Sequence, residues 1–287
     1  MLDGWRVILF EMFLCFVFSM WRQVRQRLFY IFTHFRVFNQ KLKYIFYLTC
    51  NDRLTIMTNK VIIVCGAGIS ASAGIPTYRC VDNGLWKIND MEKICTKGNE
   101  FTNESLLFYD KFRYLLKSIQ PSIVHRALAE IQQMYGKDRV KIFTQNIDDL
   151  LEKAGCEATH VHGKCWQARC SKCDKVVDIT TESLGESYCD CGGRFKNNIV
   201  FYGERGNYQE MIEHIIDLNS DDVFILMGTS EKTIHVDMYM KFSESTNIYI
   251  NPVVEESVDI HNYKHVVLQK CENCIVETKN LISQYIK

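Results

Sequence analysis

Four cysteines in this chain have the spacing of metal ligands. Cys170-x-x-Cys173 is followed, after fifteen residues, by Cys189-x-Cys191-Gly-Gly. Four thiolates so arranged can close a tetrahedral zinc site with no position left for water, so the role is structural. The Cys-x-Cys half is tighter than the usual Cys-x-x-Cys, and Cys165 is near enough to stand in for one ligand. Cys271-x-x-Cys274 has no second pair in sequence and reads as core. No convincing secretory peptide precedes the thirteen cysteines. Metal binding and buried thiols therefore fit them better than a disulfide framework.

A second chemical signal is Gly66-Ala-Gly68-Ile-Ser70, which follows the apolar run Val61-Ile-Ile-Val-Cys65. A buried strand that empties into Gly-x-Gly is the usual entry to a dinucleotide-binding turn, where glycine allows a sharp bend and close approach of a pyrophosphate. The third glycine of the dehydrogenase fingerprint is absent, since position 71 is Ala. Thr144-Gln-Asn-Ile-Asp148 follows another apolar run, Val140–Phe143. Its side chains suit a nicotinamide amide or a ribose, although local sequence favours the plainer reading of a helix cap at Asn146 or Asp148. His160 and His162 fall on one side of an extended segment. Spacing does not choose between them. His162 has the better case as a general base, because it ends the strand and Gly163 leaves room beside it. Phe201-Tyr-Gly-Glu204, Gly228-Thr-Ser230 and Asn251-Pro252 each follow a short apolar segment, and together they would line one crevice.

These residues need a frame. Buried strands are expected at 61–65, 140–143, 158–161, 223–227, 248–250 and 266–268, with the core also resuming at Asn198–Phe201. Helices are expected at 105–117, 124–135, 148–154 (closed by Gly155), 208–218 and 275–286. The 208–218 helix would bury Met211, Ile212, Ile215 and Ile216. The polar stretch 80–100 has the length of a functional loop. Strands alternating with helices argue for an α/β fold, a parallel sheet covered on both faces. Residues 165–195, rich in cysteine and glycine, form a small inserted module between core segments 58–164 and 196–287.

The chain has 287 residues, is 47% hydrophobic and 24% charged, and carries no net charge. That composition is globular and gives no reason to expect direct nucleic-acid binding. Residues 1–57 are a separate apolar, basic extension, with eight Lys and Arg against three Asp and Glu. Three readings stand open for it: an anchor at a membrane, a targeting segment, and a start placed too early, with Met57 as the true one. The expected location is intracellular, in cytoplasm or nucleus, or at a mitochondrion or membrane surface through this extension.

The glycine run continues as Gly74-Ile-Pro-Thr-Tyr-Arg79. With Gly84-Leu-Trp86, Pro121-x-x-x-His125-x-Ala-Leu128, Thr144–Asp148, His162-Gly163, the four cysteines, Tyr202-Gly-Glu204, Gly228–Ser230 and Asn251 in that order, the chain from about residue 60 onward resembles the sirtuins, NAD-dependent protein lysine deacylases. The resemblance implies a Rossmann-like, doubly wound parallel sheet with an inserted zinc-binding module. NAD and an acyl-lysine protein or peptide would meet in the cleft between them. The acyl group would pass to ADP-ribose with release of nicotinamide. Gly66, Ala67, Gly68 and Ser70 would hold the pyrophosphate. Ile75, Ile147 and Asp148 would line the nicotinamide pocket, with Tyr78 and Arg79 beside it. Gln145 and Asn146 would position the ribose, and His162 would be the base. Gly228, Thr229, Ser230 and Asn251 would hold the adenosine side, with Cys271 meeting adenine through its backbone. Tyr109, Arg113, Phe201, Gly203 and Glu204 would border the substrate.

The chain departs from the family pattern in places. Tyr78 replaces the commoner Phe, and Glu231-Lys-Thr233 is more polar than usual. One sirtuin class reads acidic acyl chains with Tyr-x-x-Arg. Here Phe112 stands third after Tyr109 and Arg113 comes one later, about 100° further around a helix. Rival readings are an NAD hydrolase or ADP-ribosyltransferase, a desuccinylase-type preference, a non-catalytic NAD-binding module, and a dehydrogenase.

Overall fold

The chain divides into Met1–Met57 and Thr58–Lys287. The computed structural model describes residues 59–76, 94–179, 183–231 and 233–286. The N-terminal extension, Tyr78, Arg79 and Gly84-Leu-Trp86 lie outside the described residues.

Six strands form the main sheet: β1 (Val61–Cys65), β2 (Val140–Thr144), β3 (Ala158–His160), β7 (Val223–Met227), β8 (Thr246–Ile250) and β9 (His265–Val267). Their order is β3-β2-β1-β7-β8-β9, and every pairing is parallel. All five residues of β1 are fully buried. Alternate residues of β1 enter different cores, as a strand of period two must when both faces are covered. Val61, Ile63 and Cys65 pack with α3 (Ile123–Tyr135) and α7 (Cys271–Tyr285). Ile62 and Val64 pack with α5 (Gln209–Ile216) and α6 (Asp237–Met240). This is a Rossmann-like, doubly wound sheet. Within α5, Met211 and Ile215 are buried, whereas Ile216, expected on the same face, is 49% exposed.

The chain leaves β1 toward β2 and β3 on one side, and returns on the other through β7, β8 and β9. The point where the order reverses opens a crevice at the carboxyl ends of β1 and β7. There the short helix α1 (Gly68–Ala71) begins. Gly68 N–H donates to Gly228 O at 2.8 Å. A Cβ on Gly68 would lie 2.6 Å from Gly228 Cα, and one on Gly66 2.8 Å from Thr229 Cβ. Glycine is required here first by the neighbouring loop, whatever binds above it.

A second sheet is antiparallel, in the order β5-β4-β6: β4 (Gly163–Cys170), β5 (Val176–Asp178) and β6 (Phe195–Ile199). This corrects one expectation. The segment before Phe201 does not resume the parallel sheet. It pairs with β4, because Lys196, Asn197 and Ile199 register with Arg169, Ala168 and Gly163. Short apolar spacing cannot distinguish the two kinds of pairing. Helix α2 (Asn103–Ser118) packs alongside, its Thr102 cap accepting from Ser105 N–H at 3.3 Å. The helix at 148–154 is shorter than expected, with α4 spanning Leu150–Lys153. Among the described residues no helix is long and apolar enough to cross a membrane.

Gly68→Ala must push apart two backbones, which should cost about 1–3 kcal/mol in urea unfolding. Gly74 has φ +91° but nothing within 4 Å of a Cβ. Gly74→Ala should therefore carry only the left-handed backbone cost, about 1–2 kcal/mol. Equal tolerance of Ala at Gly68 and in open loops would contradict the close approach.

Candidate active site

The crevice gathers residues that are far apart in sequence. Gln145 N–H donates to Cys65 O at 2.9 Å, which joins the β2 loop to the end of β1. Asn146 Nδ2 donates to Gly66 O at 3.2 Å and to Ser70 Oγ at 3.1 Å. Both amide hydrogens are thus engaged, and the side-chain carbonyl is the group Asn146 has left to offer.

Beneath it runs a buried relay. Ser122 N–H donates to His125 Nδ1 at 3.2 Å, so that nitrogen is an acceptor and the proton sits on Nε2. His125 Nε2 lies 3.3 Å from Ser70 Oγ, and Ser70 Oγ donates to Asp148 Oδ2 at 3.0 Å. Burial lowers the His125 pKa to about 4, with Arg126 adding to the shift, so the ring is neutral. Ser122 and His125 also form a capping box at the start of α3. Asp148 fills the capping role and holds Ser70 as well. Oδ1 caps Leu150 N–H at 3.1 Å, while Oδ2 takes the Ser70 hydroxyl. Burial raises its pKa, and these two hydrogen bonds pull it back.

The structure separates the two histidines. His160 Nδ1 donates to Asn146 O and Nε2 to Glu152 Oε1, each at 2.8 Å, so both nitrogens are tied. Lys164 joins Glu152 at 2.8 Å. Burial raises Glu152, but His160 and Lys164 outweigh it and hold the carboxyl at about 2. His160 is a structural clamp between β3 and α4. His162 Nδ1 donates to the carbonyl of Gln145 at 2.9 Å. That bond places the proton on Nδ1 and leaves the Nε2 lone pair, which is buried and makes no hydrogen bond among the described residues. Tyr208 stands edge-on to the ring, centroids 5.9 Å apart. Burial lowers the pKa of His162, opposed by the bond to Gln145. A neutral imidazole with a fixed tautomer and an open Nε2 is equipped to accept a proton.

Ile75 and Ile147 share an apolar wall with Phe112, Leu150 and Cys165. Ile147 also meets a second cluster holding Tyr109, Cys95 and Phe201. Tyr109 OH lies 3.0 Å from Cys95 Sγ. Arg113 is fully buried: its guanidinium donates to Cys165 O at 2.9 Å and Asn197 Oδ1 at 2.6 Å, and pairs with Asp110. Glu204 turns inward to Phe201 N–H, Lys196 and Arg169, while Gly203, at φ +86°, turns the loop. On the other side of the crevice, Thr229 Oγ1 donates to Gln145 Oε1 at 3.0 Å, and Asn251 Nδ2 to Val253 O at 3.1 Å. Ser230 is half-buried beside them. Cys271 opens α7, its thiol pushed to about 12 by burial.

Four thiolates bound to zinc at about 2.3 Å stand about 3.8 Å apart. Here the four Sγ atoms of Cys170, Cys173, Cys189 and Cys191 all lie within 4.8 Å of one another. Cys170 and Cys191 are 3.4 Å apart, Cys173 and Cys189 3.7 Å. The donor set fits zinc. Cys165 is not in the group; it sits in the apolar wall. A Cβ on Gly193 would lie 2.5 Å from Cys170 Sγ, while Gly192 takes φ +78°, so each of the paired glycines after Cys191 has its own reason.

Sequence reasoning assigned no site role to His125, Glu152 or Glu231. The Ser122–His125 spacing was a capping signal that could have been used. Glu152 carries none, and Glu231 stands out only as polarity after Ser230.

A switch-point crevice, a neutral histidine and a detached thiol cluster together define a nucleotide-dependent enzyme of the α/β class. Residues 66–235 match the family model described as Sir2 family, and the chain belongs to that family. It is 34% identical over 197 residues to an NAD-dependent protein deacylase of Campylobacter jejuni, covering 66% of this chain and 83% of the relative. It is 38% identical over 180 residues to the NAD-dependent protein deacylase SIR2rp3 of Leishmania major, covering 59% and 73%. A crystal structure of a Sir2 homolog–NAD complex superposes with TM-score 0.68 at 23% identity, covering 79% of this chain and 91% of that one. The likeness to that structure bears on the fold alone.

Replacing Cys173 by Ser should abolish binding of about one zinc per chain in elemental analysis and lower the melting temperature. Full metal content in that variant would show that the ligands lie elsewhere.

Proposed function

We propose that this protein is an NAD-dependent protein lysine deacylase, and that His162 is its general base. The observation that carries the reading is the His162 ring itself, with Nδ1 tied to Gln145 O and Nε2 buried without a partner among the described residues. Family membership and relatives named NAD-dependent protein deacylase support it. Two buried polar atoms, His162 Nε2 and Gln145 Nε2, have no partner among the described residues, and on this reading a bound ribose would supply one. NAD bound there supplies a ribose carbon from which nicotinamide can leave.

On this reading the chain's residues divide the work. Gly66–Gly68 and Ser70 bound the pyrophosphate side. Asp148, held by Ser70 and the Leu150 N–H, keeps an oxygen toward the nicotinamide amide. Asn146 offers its carbonyl and Gln145 its amide to the ribose. His162 Nε2 takes the proton of a ribose hydroxyl, and the charge this places on the ring is stabilised through Nδ1–H by the Gln145 carbonyl. Ile75, Ile147 and Phe112 exclude water from the reacting carbon. Cys170, Cys173, Cys189 and Cys191 would hold zinc, which braces the small sheet and takes no part in the reaction.

The substrate is an acyl-lysine of a protein or peptide, with a neutral acyl group. Where an acidic chain would need a cation, the wall presents Phe112, and Arg113 is turned inward and engaged with Asp110 and Asn197.

His162→Ala should lower kcat/KM about a hundredfold to ten-thousandfold, with retained NAD affinity by calorimetry. The base works only when neutral, and burial lowers its pKa. Activity should therefore be full above the ordinary imidazole value of about 6.5 and be lost only as pH falls below it. An acid limb well above that value would exclude His162 as the base.

A panel of acetyl-, succinyl- and long-chain acyl-lysine peptides should show succinyl turned over more slowly than acetyl. Rapid nicotinamide release without any peptide would favour an NAD hydrolase instead.

A further inference from the structure

Glu231 has no part in the scheme above, yet it is fully buried beside the crevice with its backbone in the left-handed region, φ +54°. A non-glycine residue is strained there. Its Oε2 accepts from Val236 N–H at 2.5 Å and Asp237 N–H at 3.3 Å, at the start of α6. Oε1 is buried and makes no hydrogen bond among the described residues. Gln145 Nε2 is in the same position, and the two are complementary, an acceptor and a donor. The Gln145 amide lies close enough to favour the ionised carboxyl. Burial, the largest influence, and Asp237 work against ionisation, and together with the Val236 and Asp237 N–H groups they set the pKa at about 7.

Gln145 is held at three points besides. Its N–H is on Cys65 O, its Oε1 takes the Thr229 hydroxyl, and its carbonyl takes the His162 Nδ1–H. The Thr229 hydroxyl also receives Glu231 N–H at 3.3 Å, so the loop carrying Glu231 meets Gln145 through backbone and side chain alike.

We infer that Glu231 is a positioning residue that sets the orientation of the Gln145 side-chain amide, and through it the face of Gln145 presented to the ribose of NAD. The inference rests on the NAD site proposed above and extends it to a residue that touches neither nucleotide nor peptide. With the carboxylate present, Gln145 has a single orientation that satisfies both ends, oxygen toward Thr229 and nitrogen toward Glu231. An amide at 231 keeps an oxygen for Val236 and Asp237 N–H but turns its own NH2 toward Gln145 Nε2. Two donors then face each other, and Gln145 must reverse or swing away.

The test is NAD binding by titration calorimetry on the full chain, with steady-state kinetics on an acetyl-lysine peptide. Glu231→Gln should weaken NAD binding and raise KM for NAD by about threefold to tenfold, with kcat changed much less and the melting temperature nearly kept. Glu231→Gly, which relieves the backbone and removes the carboxyl, should weaken NAD binding by a similar factor. In a Gln145→Ala background, Glu231→Gln should have no further effect. NAD affinity unchanged in Glu231→Gln, or an equal loss with and without Gln145, overturns the inference. A chain that binds NAD with this coupling but deacylates nothing overturns the deacylase reading and leaves this one standing. A chain that binds no NAD overturns both.

Discussion

The contact between Gly68 and Gly228 is the constraint on which the rest depends. Two strand-end loops, one from each half of the sheet, touch backbone to backbone and share the bond from Gly68 N–H to Gly228 O. A doubly wound sheet leaves a crevice where its strand order reverses, and the width of that crevice is set by how closely the two loops approach. Any side chain at 66 or 68 would pry β1 from β7, whose residues pair in register from Val61–Val223 to Cys65–Met227. The glycines thus hold the sheet together at the same place where they keep the crevice floor low.

Above that floor, polar groups are arranged so that almost none can rotate freely. Ser70 receives Asn146 and donates to Asp148, while His125, neutral and fully buried, approaches its oxygen from below. A buried polar group without a partner is costly, so each bond in this chain restricts the next. The outcome is directional. Asn146 has spent its hydrogens, Asp148 has kept lone pairs, and His162 has spent its proton on a carbonyl and kept a lone pair. A rigid arrangement of this kind needs little reorganisation when a charge develops nearby.

Much of the frame was legible in the sequence because each signal rested on one strong local demand. Val61–Cys65 is apolar on both faces and could only be a buried strand. Gly66-Ala-Gly68 after such a strand marks a sharp turn. Cys170 to Cys191 could close a metal site by spacing alone. What was not legible depended on partners distant in sequence. The strand end and Gly163 favour His162 over His160, but what His160 does instead is seen only through Glu152, eight residues before it, which takes its Nε2. The apolar residues before Phe201 fit either sheet, and only pairing with β4 assigns them to the antiparallel one. Glu231 appeared as surplus polarity after Ser230. Its neighbour, Gln145 from the loop after β2, is distant in sequence.

Arg113 shows how a one-residue change of register gives a side chain a different set of partners. On a helix, each step turns a side chain by about 100°. At the third position after Tyr109 a guanidinium would share the wall that Phe112 now forms with Ile75 and Ile147. At the fourth it points between α2 and the small sheet, where Cys165 O, Asn197 Oδ1 and Asp110 receive it. A buried cation is tolerable only when its hydrogens are met, and losing one such partner costs about 3–5 kcal/mol. The same Asp110 also takes Ser183 Oγ at 2.8 Å and Leu184 N–H at 3.2 Å from the loop beyond β5. The cation has therefore become part of the joint that fixes the cysteine-bearing sheet against α2. Releasing it would break that joint, and Phe112 leaves the neighbouring wall apolar.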